Sequence, residues 1–337
     1  MIRRNEFLPE GRSLSLSKEL LEGAVDIHVH AGPHLPSSPR RVDPVQAARA
    51  ARDAGMMAIA FMDVFQMSNG TSWLVNRTVS DFKTYGGLIL NTVYGGLNPR
   101  AVKTALYYGD GAKYISFGAH STYYQASREG RYLEDEFTPL AELYPEFKEE
   151  ELSRSISIPT EDPPGDKLHE ILQLIADHPE IYMITGHVSP EESVRLVDLA
   201  EQYGIEKVVV SSAVSKVARL EQLQYMAEKG AFIEYTLAAY THTTSIPKTH
   251  YYVERKYAAM DEGMSEEKTG GVKAAVERIK KLGSQNCIVS TDLGVYTLPE
   301  PVEGMREFIA CLLDLGIPPS DIRNMISDNP RKLLGID

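Results

Sequence analysis

Short apolar segments alternate along the chain with stretches of helical periodicity. Eight of these segments are near-continuous apolar runs in their first half, which is typical of parallel strands buried on both faces. Several of them end in polar residues, and each is followed by a helical pattern. The eight segments are residues 24–31, 57–64, 88–95, 113–120, 182–189, 206–213, 231–238 and 287–294.

Capping residues mark the helix starts between these strands. Asp43, Asn98 and Ser189 each stand before a proline, as an N-cap residue does before the first helical position. Ser189 and Glu192 also have the capping-box spacing. Most strands are preceded by a glycine, at which we expect a helix to end in a left-handed cap. These glycines are Gly55, Gly86, Gly111, Gly204, Gly230 and Gly283.

Eight strand–helix units in 337 residues predict an α/β fold, the (β/α)8 TIM barrel. The alternative is a doubly wound open sheet, but no GxGxxG or Walker loop follows the first strand. We therefore expect residues 1–337 to form a single barrel domain, with residues 1–23 as an N-terminal extension. Residues 121–165 and 239–267 are predicted insertions after strands four and seven. Either insertion could cover the active site, or serve as a dimerisation arm or solvated loop.

Composition narrows the class of protein. The chain is 43% hydrophobic and 24% charged, and it has no apolar run of ~18 residues, so a soluble globular protein is expected. The basic N-terminus has no apolar segment behind it, so we expect no signal peptide. Cys287 and Cys311 offer no disulfide framework and fit the cytoplasm. A net charge of −12 argues against nucleic-acid binding. The expected partner is a small-molecule substrate, with neither nucleic acid nor membrane.

Two histidines end the first predicted strand. Residues two apart in a strand point to the same face, so His28 and His30 should project side by side. Neutral imidazole is a favoured ligand of zinc and similar divalent ions. The pair could therefore bind one metal ion; two partly buried core histidines are the alternative.

Other ligand-type residues stand at the carboxyl ends of strands, where barrel enzymes build their active sites. His187 ends strand five and Asp292 ends strand eight. Together with His28 and His30 they would surround one metal ion and leave room for water. Asp292 could instead cap a helix, although residues 293–298 do not look helical.

Further polar residues could contact the substrate. Glu234, on strand seven, could support a ligand, bind substrate or form a structural ion pair, because a buried carboxylate needs a partner. His120 follows strand four and could touch substrate or metal. The insertion 239–267 contains basic residues, which would bind an anionic substrate group or form a solvated loop. They are His242, Lys248, His250, Arg255 and Lys256.

These motifs resemble the amidohydrolase superfamily, over about residues 24–335. In detail the chain is similar to a branch of predicted metal-dependent hydrolases whose first motif reads DxHxHAGP, here Asp26 to Pro33. The other matching pieces are residues 186–187 (GH), 290–292 (STD) and 328–335 (DNPRKLLG), the last resembling the superfamily's closing helix.

The resemblance implies that His28, His30, His187 and Asp292 are metal ligands and that Asp292 takes a proton from the attacking water. It implies one divalent metal ion as cofactor. Zn²⁺ is the first expectation, and Mn²⁺, Fe²⁺ or Ni²⁺ are alternatives because imidazole and carboxylate accept all four. Members of the superfamily are often homo-oligomers, so we expect one here.

The chain departs from the superfamily at two strands. Ser211 and Ser212 stand where strand six usually ends in a histidine, so His120, His242 or one of the serines would have to polarise the substrate. A binuclear site needs a bridging lysine or glutamate at the end of strand four. The only lysine there, Lys113, is at the start of the strand. A mononuclear site is therefore expected.

The sequence thus predicts a metal-dependent hydrolase of an amide, lactone or other ester, with an anionic small molecule as one form of substrate. Its candidate catalytic residues are Asp292, His120 and Glu234. A metal-dependent decarboxylase of a small carboxylic acid would use the same four ligands and stays open. So does a non-catalytic barrel, because the strand-six histidine is missing.

Overall fold

Short strands and helices alternate in the computed structural model, which describes residues 11–35, 39–133, 136–240, 264–265 and 271–336. The strands are β1 (Val25–Val29), β2 (Ala58–Phe61), β3 (Lys83–Tyr85), β4 (Gly87–Ile89), β5 (Tyr114–Ser116), β6 (Glu129–Leu133), β7 (Glu136–Pro139), β8 (Tyr182–Ile184), β9 (Val208–Val210), β10 (Phe232–Thr236), β11 (Met264–Ser265) and β12 (Cys287–Ser290). The helices are α1 (Gly11–Leu20), α2 (Pro44–Asp53), α3 (Ser68–Thr78), α4 (Pro99–Tyr107), α5 (Tyr123–Ala126), α6 (Leu140–Leu143), α7 (Pro145–Glu150), α8 (Asp166–Ala176), α9 (Pro190–Tyr203), α10 (Ser212–Ser215), α11 (Leu220–Glu228), α12 (Leu237–Tyr240), α13 (Gly271–Leu282), α14 (Pro301–Asp314), α15 (Pro319–Arg323) and α16 (Asn329–Leu334). In the described part of the chain, no helix combines the length and the apolar character that crossing a membrane would require.

Most strands belong to two parallel sheets. The first has the order β1–β2–β3, and the second has the order β4–β5–β8–β9–β10–β12. Gly86 alone separates β3 from β4, and a parallel bridge between Val29 and Leu293 joins β1 to the chain just after β12. This mixed α/β arrangement is compatible with the predicted TIM barrel.

The predicted third strand, residues 88–95, begins and ends further along the chain than β3 and β4 of the structure. The chain becomes extended at Lys83, where β3 pairs with β2, and β4 ends at Ile89. Residues 90–95 lie outside any strand. The polar residues of β3 and the glycine after it resemble a turn in the sequence. Backbone pairing with a neighbouring strand nevertheless tolerates them, because the ladder uses main-chain groups.

The predicted helix starts are confirmed. Asp43 and Ser189 form capping boxes at the N-termini of α2 and α9, and the Asn98 side chain accepts a hydrogen bond from the backbone of α4. Five of the six glycines before strands have positive φ, as predicted. Gly86 does not; there a Cβ would lie only 2.2 Å from the backbone of Ser68, so close packing explains the glycine.

Strand residues alternate between two apolar clusters, as the period of a strand requires. In β12, for example, Ile288 belongs to one cluster, whereas Cys287 and Val289 belong to the other. Leu333 and Leu334 of α16 pack with Ile288. Polar residues then follow at the carboxyl end of β12.

The two predicted insertions meet in a small antiparallel sheet. Within 121–165, β6 pairs with β7, and on its other side β6 pairs with β11 from the second insertion. Ser265 lies opposite Glu129 in this pairing. Residue Glu129 also contacts the site described next.

Candidate metal centre

His28, His30 and Asp292 converge at the carboxyl ends of β1 and β12. The two imidazole centroids are 5.1 Å apart, as their same-face placement predicts. The Nε2 atoms of His28 and His30 lie 3.3 and 2.9 Å from the same Asp292 oxygen, Oδ1. One ligand atom from each residue lies within 4.8 Å of the others. This cluster of two imidazoles and one carboxylate could hold a metal ion.

The Nδ1 atoms of both histidines have partners on the side away from Asp292. Nδ1 of His30 donates to the backbone carbonyl of Met62 at 2.8 Å. Because a carbonyl only accepts, the neutral ring carries its proton on Nδ1 and presents the lone pair of Nε2. Nδ1 of His28 lies 3.1 Å from Oε1 of Glu234. Partners of this kind orient imidazole ligands in metal sites.

Glu234 is buried on β10, with 1% of its surface exposed. Besides contacting His28, its carboxylate accepts hydrogen bonds from the Ser290 hydroxyl at 2.6 Å and from the Ser212 backbone N–H at 3.1 Å. The structure therefore places Glu234 behind a candidate ligand.

Asp26 joins the chain segments of the candidate ligands. Its carboxylate accepts from the backbone N–H of His28 at 3.0 Å and from the hydroxyl of Thr291 at 2.6 Å. Burial raises the pKa of Asp26 to about 6, although these hydrogen bonds oppose the shift. Asp292 follows with a positive φ of 55°. It does not cap a helix, because α14 begins at Pro301.

Charge interactions within the cluster shift its pKa values. Burial disfavours the charged form of His28, but Asp292 and Glu234 outweigh burial and raise its pKa to about 9. Burial also opposes ionisation of Asp292, yet His28 and His30 hold its pKa below the usual value. For His30, burial and the charge of Arg40 lower the pKa.

His187 follows β8 and lines the same cavity, but it lies outside the group of three. Its backbone is fixed, because its N–H donates to Gly118 at 3.1 Å and its carbonyl accepts from the Thr122 hydroxyl at 2.5 Å. Among the described residues its buried Nδ1 has no hydrogen-bond partner. Burial, together with His120 and Lys216, lowers its pKa well below the usual value, so the ring is neutral.

His120 lies beside His187, with ring centroids 5.4 Å apart. Its Nδ1 is 2.6 Å from Oε1 of Glu129, which is buried and also accepts from the Gln125 amide at 2.9 Å. No sequence motif indicates Glu129, which stands in an insertion at the start of β6.

Ser211 and Ser212, at the usual position of a strand-six histidine, bond to neighbouring segments. The Ser211 hydroxyl donates to the carbonyl of Gly186, the residue before His187.

Lys113 directly precedes β5, and its Nζ lies 5.7 Å from the ring centroid of Tyr85. Lys113 is thus at the amino end of β5, as predicted.

The cavity above the cluster has a volume of about 150 Å³ within the described residues. It is lined by two cationic side chains, Arg40 and Lys216, that the sequence analysis missed. Burial lowers the pKa of Arg40 to about 10, although Asp63 and Asp292 oppose the shift. The predicted basic cluster lies outside the described residues: His242, Lys248, His250, Arg255 and Lys256.

Together, fold and site define an α/β protein with a candidate metal centre at the carboxyl ends of its parallel strands. A family model described as a family of unknown function, DUF6282, matches residues 23–234. The chain belongs to this family. No curated protein matches it.

Several solved structures share the fold. An amidohydrolase from Pseudomonas aeruginosa has a TM-score of 0.55 at 12% identity, with 96% of this chain and 98% of that one covered. The probable dipeptidase PvdM from the same organism has a TM-score of 0.57 at 12% identity, with 97% and 98% covered. A TatD homologue from Escherichia coli has a TM-score of 0.51 at 14% identity, with 94% and 100% covered. At these identities the likeness concerns the fold alone.

Proposed function

We propose that this chain is a metal-dependent hydrolase of the amidohydrolase superfamily, acting on an amide, lactone or other ester. The observation that carries the proposal is the convergence of His28, His30 and Asp292 on one point at the carboxyl ends of β1 and β12. The hydrolase names of the structural neighbours agree with it.

The proposal includes a closed (β/α)8 barrel with insertions after its fourth and seventh strands. The bridge between Val29 and Leu293 supports closure, because it joins the two strands at the ends of the series. Counting β3 and β4 as one strand gives the eight strands that the barrel requires.

The proposed ligands of one divalent ion are His28, His30 and Asp292, with His187 from the same cavity as the fourth. Two imidazoles have their Nδ1 atoms engaged, which leaves Nε2 for the ion, and His187 is a neutral imidazole whose buried Nδ1 lacks a hydrogen-bond partner among the described residues. Zn²⁺ suits three nitrogens and one oxygen best, and Mn²⁺, Fe²⁺ or Ni²⁺ are alternatives. When bound, such an ion lowers the pKa of a coordinated water and polarises a carbonyl.

Each of the other polar side chains at the site has a separate proposed role. Asp292 is the proposed acceptor of a proton from the attacking water, because its carboxylate lies at the centre of the cluster beside both histidines. Glu234 acts as a positioning residue by holding the His28 ring. Glu129 orients His120, which can then polarise the substrate or protonate the leaving group in place of the missing strand-six histidine.

The first test is the metal content of protein purified without chelator. We expect about one ion per chain, and loss of that ion in a His28→Ala/His30→Ala variant with an unchanged circular dichroism spectrum. Equal metal content in both proteins, or none in either, would contradict the proposal.

The second test is turnover. The metal-loaded protein is screened against esters, lactones, amides and carboxylic acids, with released acid, alcohol, amine and CO₂ measured separately. Asp292→Asn should keep its fold and lose turnover by about 10²–10⁴-fold. Release of CO₂ without hydrolysis would replace the proposal by a decarboxylase. Full turnover in Asp292→Asn would contradict the role of Asp292 as the proton acceptor.

A further inference from the structure

Two cationic side chains, Arg40 and Lys216, line the cavity. Neither the Arg40 side chain nor the Lys216 side chain forms a hydrogen bond or ion pair with another described residue, and Nε of Arg40 is buried. Burial removes hydration from the Arg40 guanidinium, and the negative charges of Asp63 and Asp292 offset this cost only in part. Arg40 is therefore suited to receive an anion that enters with a ligand, and the half-buried Lys216 adds a second positive charge to the same cavity.

The two cations come from different chain segments around the candidate metal centre. Arg40 lies near enough to His30 to lower its pKa, and Lys216 acts in the same way on His187. The backbone around Arg40 is fixed: Arg40 bridges Val295, and the N–H of Arg41 donates to Gly294 at 2.8 Å. Arg40 is thus held on the segment that follows Asp292.

Lys216 directly follows α10, the short helix after β9, and its backbone N–H donates to the Ser212 carbonyl at 3.1 Å. Of the carboxylates near the centre, Asp292 faces His28 and His30, Glu234 contacts His28, and Glu129 contacts His120. Asp63, whose charge acts on Arg40, accepts hydrogen bonds from Phe65 and Gln66. Arg40 and Lys216 consequently remain as binding groups for an added negative charge.

We propose that Arg40 and Lys216 form an anion clamp and that the substrate is a small carboxylate-bearing molecule. This proposal rests on the hydrolase function above. The planar guanidinium of Arg40 can take a carboxylate in a bidentate contact, and Lys216 supplies a second positive charge from the segment after β9. A cavity of about 150 Å³ limits the substrate to a small molecule.

Binding of succinate tests the clamp without requiring turnover. Isothermal titration of the metal-loaded protein compares succinate with succinamide, which has the same skeleton and no charge. We expect succinate to bind more tightly, and Arg40→Gln and Lys216→Gln each to weaken it about 10–100-fold while succinamide is unaffected. The control Lys281→Gln removes an exposed charge from α13 and should leave succinate binding unchanged.

The outcomes separate this proposal from the function on which it rests. Equal succinate affinity in the native chain and both cavity variants would overturn the clamp, even with the metal content as proposed. Metal content is measured for every variant. The clamp is supported only if the metal content stays constant while the affinity for succinate falls. If the native protein holds no metal but binds succinate, and Arg40→Gln and Lys216→Gln lose that binding, the clamp is supported and the hydrolase function is contradicted.

Discussion

At the scale of single residues, Asp292 has a backbone conformation that non-glycine residues seldom adopt. Its φ of 55° costs about 1–3 kcal/mol and persists only where the surroundings enforce it. Here its own N–H donates to the His28 carbonyl at 2.8 Å, and Asp26 holds the neighbouring Thr291. The strain therefore coincides with the point at which the carboxylate meets both histidines.

Replacement of Glu234 by glutamine should weaken metal binding. The substitution removes the negative charge beside Nδ1 of His28 while keeping the size of the side chain. We expect metal affinity to fall about 10–100-fold, measured by competition with a chelator.

The matched control for this prediction is Glu129→Gln. Glu129 is also buried and bonded to a histidine, but His120 is not a proposed ligand. The metal affinity of the Glu129→Gln variant should remain at the native value. An equal loss of affinity in both variants would contradict the specific role of Glu234.

The sequence alone predicts the central residues of the site but not their surroundings. His28, His30 and Asp292 follow from strand alternation and from the shared level of strand ends, and the structure brings them together. Glu129 and Arg40 lie in an insertion and a long loop. Their positions depend on tertiary contacts such as the bridge to Val295, which no local pattern reveals.

At the scale of elements, helix starts were easier to predict than strand limits. A cap such as Asp43 acts within one turn, so the sequence contains all its parts. The limits of β3 and β4 depend on pairing with β2 and β5, which lie far away in the chain. Predicted strands were also too long, because the polar residues after β12 belong to the loop that carries Asp292.

Gly186, between β8 and His187, should tolerate no larger residue. Its φ is +73°, and a Cβ there would lie 2.3 Å from the carbonyl oxygen of Gly118. Gly204 has nearly the same φ, +74°, with nothing within 4 Å of a Cβ.

Gly186→Ala should therefore lower the free energy of unfolding by about 1–3 kcal/mol more than Gly204→Ala does. Urea denaturation of both variants measures the difference. Equal losses would mean that the backbone conformation alone, and not the contact with Gly118, requires glycine at position 186.

At the scale of the whole molecule, the candidate centre joins distant parts of the chain. His28 lies in β1 and His30 directly follows it, and Asp292 follows β12. The proposed fourth ligand, His187, follows β8. An ion bound by all four would hold these parts together only in the folded state, because the unfolded chain does not keep the ligands close. Metal binding should consequently stabilise the entire fold.

Addition of Zn²⁺ to chelator-treated protein should therefore raise Tm. At a free metal concentration about 100 times Kd, the expected gain in the free energy of unfolding is about 2.7 kcal/mol, and further chelator should reverse it. Differential scanning calorimetry of the native chain and of the His28→Ala/His30→Ala variant measures the effect. The variant should show no rise, since its ligand set is broken; the same rise in both proteins would instead mean that the ion binds elsewhere.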